Sequence, residues 1–564
     1  MVELITDAKS VRNETGLDLD ENTLQSGIFL EGPRDRLPIL VKGEDGSYTL
    51  VTRRIEIGNY IKEGRGAKTI KQKQIKLAVY DNYFTMSDIA SEYTVYPSEA
   101  EAIQGELGIS QAAAYDDMTY ARYLRITKSL PLTMKKSVQT NGRFFAYRVD
   151  RSYVSDVFTQ AAPKDKQLAM DILKERTHVS EKNRDILWDY MNKERVDPFA
   201  LLDHMLEEAH VNRVLADTKL SIHTLTALPW DEIDVGNMFA VYDKEEILLF
   251  AASRQDYPFL EPAGEYEGFQ AMLKAAASGG SIGIEEKSLP VGYVELIGPD
   301  RCTGVSAVLT LWRDLHAYQF LPYYVINGIG NIYALDAAIA FAKSSVNEGR
   351  SLTERDIDKR YEEALAEFIG LYHMERDGFS LRKYFSGIQV GNRCPFAALS
   401  SDYPLSADMN TLKIDCGAHL FKNGILMSGS DECRSWCLTP ETQEVYELLG
   451  KITREHLIPN IRDGMKGSEA YWLGVKELAR HEKRLKEIGM LVPAFSLENG
   501  YERNIGHTFS KAESVSVTLD KRTEAPFRTH MICCVEYHWP YRDQSFGVED
   551  MFFVTPEGAI DFVY

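Results

Sequence analysis

The feature that most constrains this chain is a set of carboxylates placed inside apolar, strand-like runs of its last third. Asp415 sits in "TLKIDCGAH", Asp431 in "SGSDECRSW", Glu536 in "MICCVEYHW", and Glu549 and Asp550 in "GVEDMFFVTPEG". A carboxylate in such a run is costly unless it is paired, hydrogen-bonded or bound to a cation. Side chains alternate along a strand, so Glu549, Met551 and Phe553 share one face and Asp550 points the other way. Between the two pairs of strands lies a glycine-histidine, Gly506-His507, in "NIGHTFSKAESVSV". Asp415, Asp431, His507, Glu536 and Glu549 together form an oxygen-rich ligand set. It suits two divalent ions, Mn²⁺ or Fe²⁺ first and Co²⁺ or Zn²⁺ as alternatives. Such a pair shares and activates a water.

The rest of the chain supplies a frame. Its 564 residues are enough for several domains. Residues 1–160 read as an α/β unit, with "SGIFLEG", "RLPILVKG" and "GSYTLVTRRIEI" as strands and "ISQAAAYDDMTYARYLRITKSLP" as a strand–helix unit. Residues 161–302 read as a second α/β unit, with helices in "DKQLAMDILKERTHV" and "PFALLDHMLEEAHVNRVL". A hairpin is expected around Asp243-Lys244, and a strand then a helix in "SIGIEEKSLPVGYVELI". The two units suggest a degenerate duplication.

Residues 303–564 read as an α+β domain. Ser351 and Glu354 have capping-box spacing, and Ile357, Tyr361, Leu365 and Phe368 form one helical face. Thr439 and Pro440 fit as N-cap and first residue of a helix. The apolar stretch "HAYQFLPYYVINGIGNIYALDAAIAFAK" is interrupted by Asn, Gly and Pro, so a buried helix with breaks is expected, not a membrane span. The net charge of −20 argues against nucleic-acid binding, and the basic run at 62–76 reads as a solvated loop or edge strand. Seven cysteines without a disulfide framework and no visible export signal suggest a cytoplasmic protein.

The order Asp, Asp, His, Glu, Glu resembles the creatinase/methionine aminopeptidase superfamily, the pita-bread metalloenzymes. The flanks carry the likeness too. "IDCGA" is similar to the family's Asp-x-Gly strand, "SDECRSWCLTPETQEVYELL" to its Ser-Asp-x-x-Arg strand and following helix, and "GVEDMFFVTPEG" to its final hairpin. "GIEEKSLPVGYVEL" resembles the end of the N-terminal domain of prolidase-like members. Two α/β units before the last domain look like the aminopeptidase P group, which releases a residue ahead of proline. The resemblance implies a homodimeric, metal-dependent hydrolase that turns an activated water on a C–N bond of a small molecule or short peptide, with Glu536 shuttling the proton.

The departures matter as much. Fifteen residues separate Asp415 from Asp431, more than in the family. Two accessory peptidase histidines are missing: "GNRCPFAALSSDYPL" has none, and Ser514 stands at the other position. His538 shares strand parity with Glu536 and is a candidate replacement, or a structural residue of an aromatic strand end. Cys534 and Cys433 share parity with Glu536 and Asp431; they read as core cysteines or as thiols facing the pocket. Arg434 and Arg542 are candidate ligands for a substrate carboxylate, with surface ion pairing as the plainer reading. His419 and His530 are weaker candidates. The departures leave open a non-peptidase metalloenzyme acting on a small metabolite, and a non-catalytic pita-bread interaction module.

Overall fold

The computed structural model describes residues 142–564, apart from 160, 194–195, 392–403, 406–408, 492–495, 502, 512–514 and 542–543, together with five short strands between Glu3 and Ala78. Strands Ile39–Lys42 and Tyr48–Val51 fall in two of the expected strand runs. "SGIFLEG" and the segment 109–131 lie outside the described residues, so the expected duplication has only one described copy. The basic run holds two strands, Ala67–Ile70 and Ile75–Ala78, paired antiparallel.

Residues 143–304 build a seven-stranded mixed sheet. The hairpin expected at Asp243-Lys244 joins strands Met238–Tyr242 and Ile247–Ala251 in antiparallel register, with Lys244 at φ +73° in the turn. Strand Ile282–Ile284 and helix Val291–Ile297 follow as expected. Arg143–Val149 pairs with Ile247–Ala251 in this same sheet. The expected division at 160 therefore falls inside one continuous unit.

The last domain is built on three helices and an eight-stranded sheet. The helices are α1 (Ser306–His316), α2 (Leu321–Asn347) and α3 (Glu354–Leu371). The strands are β1 (Phe379–Val390), β2 (Thr411–Lys422), β3 (Ile425–Gly429) and β4 (Glu432–Cys437), then β5 (Gly506–Thr508), β6 (Ile532–Tyr541), β7 (Gln544–Phe553) and β8 (Ile560–Asp561). Their order is β1-β2-β4-β7-β6-β5, with β3 on β2 and β8 on β7. Helices α4 (Pro440–Lys451) and α5 (Gly467–Ala479) separate β4 from β5. Thr439 caps α4 with Pro440 in its first turn, as expected.

Two expectations are corrected. The stretch 316–343 is broken once, by a 3-10 turn at Ala317–Phe320 ahead of Pro322, but helix α2 beyond it runs 27 residues through its asparagines and glycines. Two buried asparagines donate to strand carbonyls: Asn327 Nδ2 to Ala418 O (3.1 Å) and Ser428 O (3.0 Å), and Asn331 Nδ2 to Cys416 O (2.7 Å). A Cβ on Gly330 would stand 2.8 Å from both Leu381 and Phe368, so glycine there admits close packing. The N-cap of α3 is Thr353, boxed with Asp356, not Ser351 with Glu354. Glu354 is buried and accepts from the Val390 amide at 3.0 Å. The face Ile357, Tyr361, Leu365 and Phe368 is buried as expected.

Buried Asp314 on α1 accepts the Ser516 hydroxyl. Burial pushes its carboxyl up to about 7, against the pull of Ser516 and Arg313. The folded state thus holds a proton that the unfolded chain releases near pH 4. Stability is full below that pH and falls as pH rises through 7, by on the order of 4 kcal/mol at most. Asp314→Asn is expected to flatten this slope. Denaturant titrations at pH 4.5 and 7.5 check it, and an unchanged slope would refute the assignment.

Candidate metal centre

Strand register assembles the site. Asp415 on β2 pairs with Cys433 on β4, Cys433 with Glu549 on β7, and Glu549 with Glu536 on β6. Residues directly opposite in antiparallel strands project to the same face, so one row across four strands carries three carboxylates and a thiol. A second row on that face pairs His507 on β5 with Cys534, and Cys534 with Met551. Asp431, just before β4, reaches the same region: its Oδ2 lies 3.9 Å from His507 Nε2. A third row, on the other side of the carboxylates, pairs Lys413 with Ser435 and His538 with Gly547. A Cβ on Gly547 would sit 2.7 Å from His538 Cδ2, so glycine makes room for that ring.

The rows bring ligand atoms together. One atom each from Asp431, His507, Cys534 and Glu549 lies within 4.8 Å of the others. So do atoms of Asp415, Cys433 and His538, and of Glu536, His538 and Glu549. His538 Nε2 is 3.5 Å from Asp415 Oδ2 and 3.4 Å from Glu536 Oε2. Cys534 Sγ is 3.6 Å from both ring nitrogens of His507.

The electrostatics ask for positive charge. Burial, then Glu536 and Asp415, push the Glu549 carboxyl well above its usual range. Burial, then Glu549 and Asp431, push the Cys534 thiol up as well. Glu549 Oε1 is buried without a hydrogen-bond partner among the described residues. An orphaned carboxylate oxygen beside an imidazole, a thiol and a second carboxylate fits a bound divalent ion.

Five residues in the order Asp, Asp, His, Glu, Glu thus meet on one face of a sheet backed by α2. That is the convergence which the resemblance to the creatinase/methionine aminopeptidase superfamily implies. No family model and no curated protein sequence matches the chain. Among solved structures, this chain is similar to a prolidase from Pyrococcus furiosus (15% identity, TM-score 0.45, covering 64% of this chain and 98% of that one). It is also similar to an Xaa-Pro dipeptidase from Bacillus anthracis (16%, 0.44, 65% and 96%). A third likeness is to the N-terminal domain of the FACT complex subunit SPT16 from chickpea (11%, 0.49, 67% and 96%).

Other candidates in the last domain fall elsewhere. Arg434, expected as a substrate ligand or a surface residue, is neither. It is buried, donating to Asp550 Oδ1 at 2.6 Å and to Glu549 O at 2.8 Å. His419 is stacked on Tyr384 and held neutral by burial, which lowers its pKa to about 3. His530 is stacked on Tyr318. Ser514 and Arg542 lie outside the described residues. Sequence reasoning missed Lys413. Its side chain is 3% exposed, and its Nζ lies 2.9 Å from Asp415 Oδ2 and 3.4 Å from His538 Nδ1. The signal was there: a lysine two residues before Asp415 in an apolar strand shares its face.

Proposed function

We propose that this chain is a metal-dependent enzyme that hydrolyses a C–N bond of a small molecule or short peptide. The observation that carries the reading is the convergence of Asp431, His507, Cys534 and Glu549, with one Glu549 oxygen buried and without a hydrogen-bond partner among the described residues. A divalent ion held there would supply a Lewis acid and lower the pKa of a water. This chain's own residues supply the rest. Asp431, His507 and Glu549 are buried and fix the ligand atoms. Glu536, with 18% of its side chain exposed, is the most open acid of the row and is placed to move a proton at Oε2. His538 Nε2 lies between the Asp415 and Glu536 carboxylates, 3.5 and 3.4 Å from them, where a protonated ring would neutralise part of their charge.

A second reading keeps the metal but changes the chemistry: a lyase or oxidative reaction on a small metabolite. The lysine beside Asp415 favours it, because a buried ammonium inside the carboxylate row departs from an all-acid cage.

The test is metal analysis of the purified protein together with turnover of Xaa-Pro peptides and small amides. Wild-type protein is expected to retain a divalent ion. His507→Ala is expected to lose affinity by more than the roughly 10–100-fold typical of outer partners. Wild-type protein that binds no ion after loading would overturn the reading. Bound metal with no peptide cleavage would sink its peptidase version.

A further inference from the structure

Resting on the metal-binding reading above, we propose that the site takes a single divalent ion, held by Asp431, His507, Cys534 and Glu549, and that the Lys413 ammonium stands in place of a second.

The two halves of the site differ in kind. On the β5 side, imidazole, thiol and two carboxylates gather within 4.8 Å of one another. On the β2 side, Asp415 Oδ2, the oxygen 3.5 Å from His538 Nε2, is already 2.9 Å from an ammonium nitrogen. Lys413 cannot withdraw easily. Its side chain is 3% exposed, its nitrogen also meets His538 at 3.4 Å, and its strand is paired on both sides. A dication bound through Oδ2 would share that oxygen with a positive charge at contact distance in a buried site, where screening is weak, and one bound through the other oxygen would still face the ammonium across the same carboxylate. The ammonium supplies part of the positive charge that a second ion would bring.

The donor set then selects the ion. With Cys534 as a ligand, the site offers one sulfur, one nitrogen and carboxylate oxygen. Thiolate and imidazole favour Zn²⁺, Fe²⁺ or Co²⁺ over Mn²⁺. Binding replaces the thiol proton with the metal and releases it to solvent.

The experiment is metal stoichiometry and cobalt spectroscopy on the full chain. Wild-type protein loaded with excess Co²⁺ or Zn²⁺ is expected to hold one ion per chain. The cobalt form is expected to show a near-ultraviolet thiolate-to-metal charge-transfer band. Cys534→Ser should lose that band, and Lys413→Met should keep it and bind a second ion. Two ions in the wild type, no charge-transfer band, or one ion in a folded Lys413→Met would each overturn the inference while leaving the metal reading intact. No ion in any variant would instead sink the metal reading itself. If Lys413→Met does not fold, the wild-type stoichiometry and the Cys534-dependent band decide the question.

Discussion

Asp550→Asn is expected to lower the stability of the protein by about 3–5 kcal/mol. Asp550 is fully buried and accepts from two arginines, Arg434 at 2.6 Å and Arg454 at 2.7 Å. Burial alone would push its carboxyl up, but the two guanidinium groups outweigh burial and hold it below its usual value. Removing the charge leaves two arginines without the carboxylate that both of them bond. The damage also spreads toward the metal centre, because Arg434 holds the backbone oxygens of Cys433 and Glu549. One effect runs the other way. Asp561 is pushed up to about 7 by burial and then by Asp550, so it relaxes when that charge goes. Urea denaturation at neutral pH with an unchanged slope reads the difference. A loss under about 1 kcal/mol would show that the arginines find other partners.

Gly506→Ala is expected to remove His507 from the site. Gly506 has φ +142°, and an added Cβ would lie 2.1 Å from the backbone oxygen of Cys534. Overpacking against movable side chains costs about 1–3 kcal/mol. Here the neighbour is a carbonyl of β6 itself, so relief requires β5 to leave its partner. The strand has three residues and three register pairs, with His507 in the middle of them. Metal affinity should therefore fall along with stability. Gly489→Ala is the control: φ is +74°, nothing lies within 4 Å of the new Cβ, and the site is not involved. That variant should cost about 1–2 kcal/mol and leave metal binding unchanged. Calorimetric metal titration of both variants distinguishes the cases; equal losses of affinity would refute the role of the strand pairing.

What could be read from the sequence, and what could not, follows from the range of the forces involved. Period-two alternation is local, so the opposite orientations of Glu549 and Asp550 were legible. The same holds for Thr439 capping α4, a four-residue signal. The cap of α3 was misplaced because two capping residues stood within one turn. Pairing of Leu352-Thr353 with Pro404-Leu405 fixes Thr353 at the end of an extended segment. The unbroken α2 was not legible, since Asn327 and Asn331 find their acceptors on distant strands. Arg434 could not be assigned from its own surroundings either. Asp550 lies 116 residues away, and only sheet register brings the two together. Lys413 was visible by parity with Asp415, but its contact with His538 depends on a row spanning four strands.

Helix α2 has a further consequence during synthesis. With α1 and the turn before it, α2 forms a stretch, Ser306–Asn347, that is long and apolar enough to cross a membrane by length and composition, and in the folded protein it is mostly buried. The carbonyls that take up Asn331 and Asn327 lie 85 and 101 residues further along the chain. At roughly 5–20 residues per second, the ribosome needs about 5–20 s to deliver them. Through that interval the nascent helix lacks the sheet that later covers it, and its apolar surface is exposed to aggregation. The protein's most vulnerable moment is thus set by the sequence distance between α2 and the strands that later bury it.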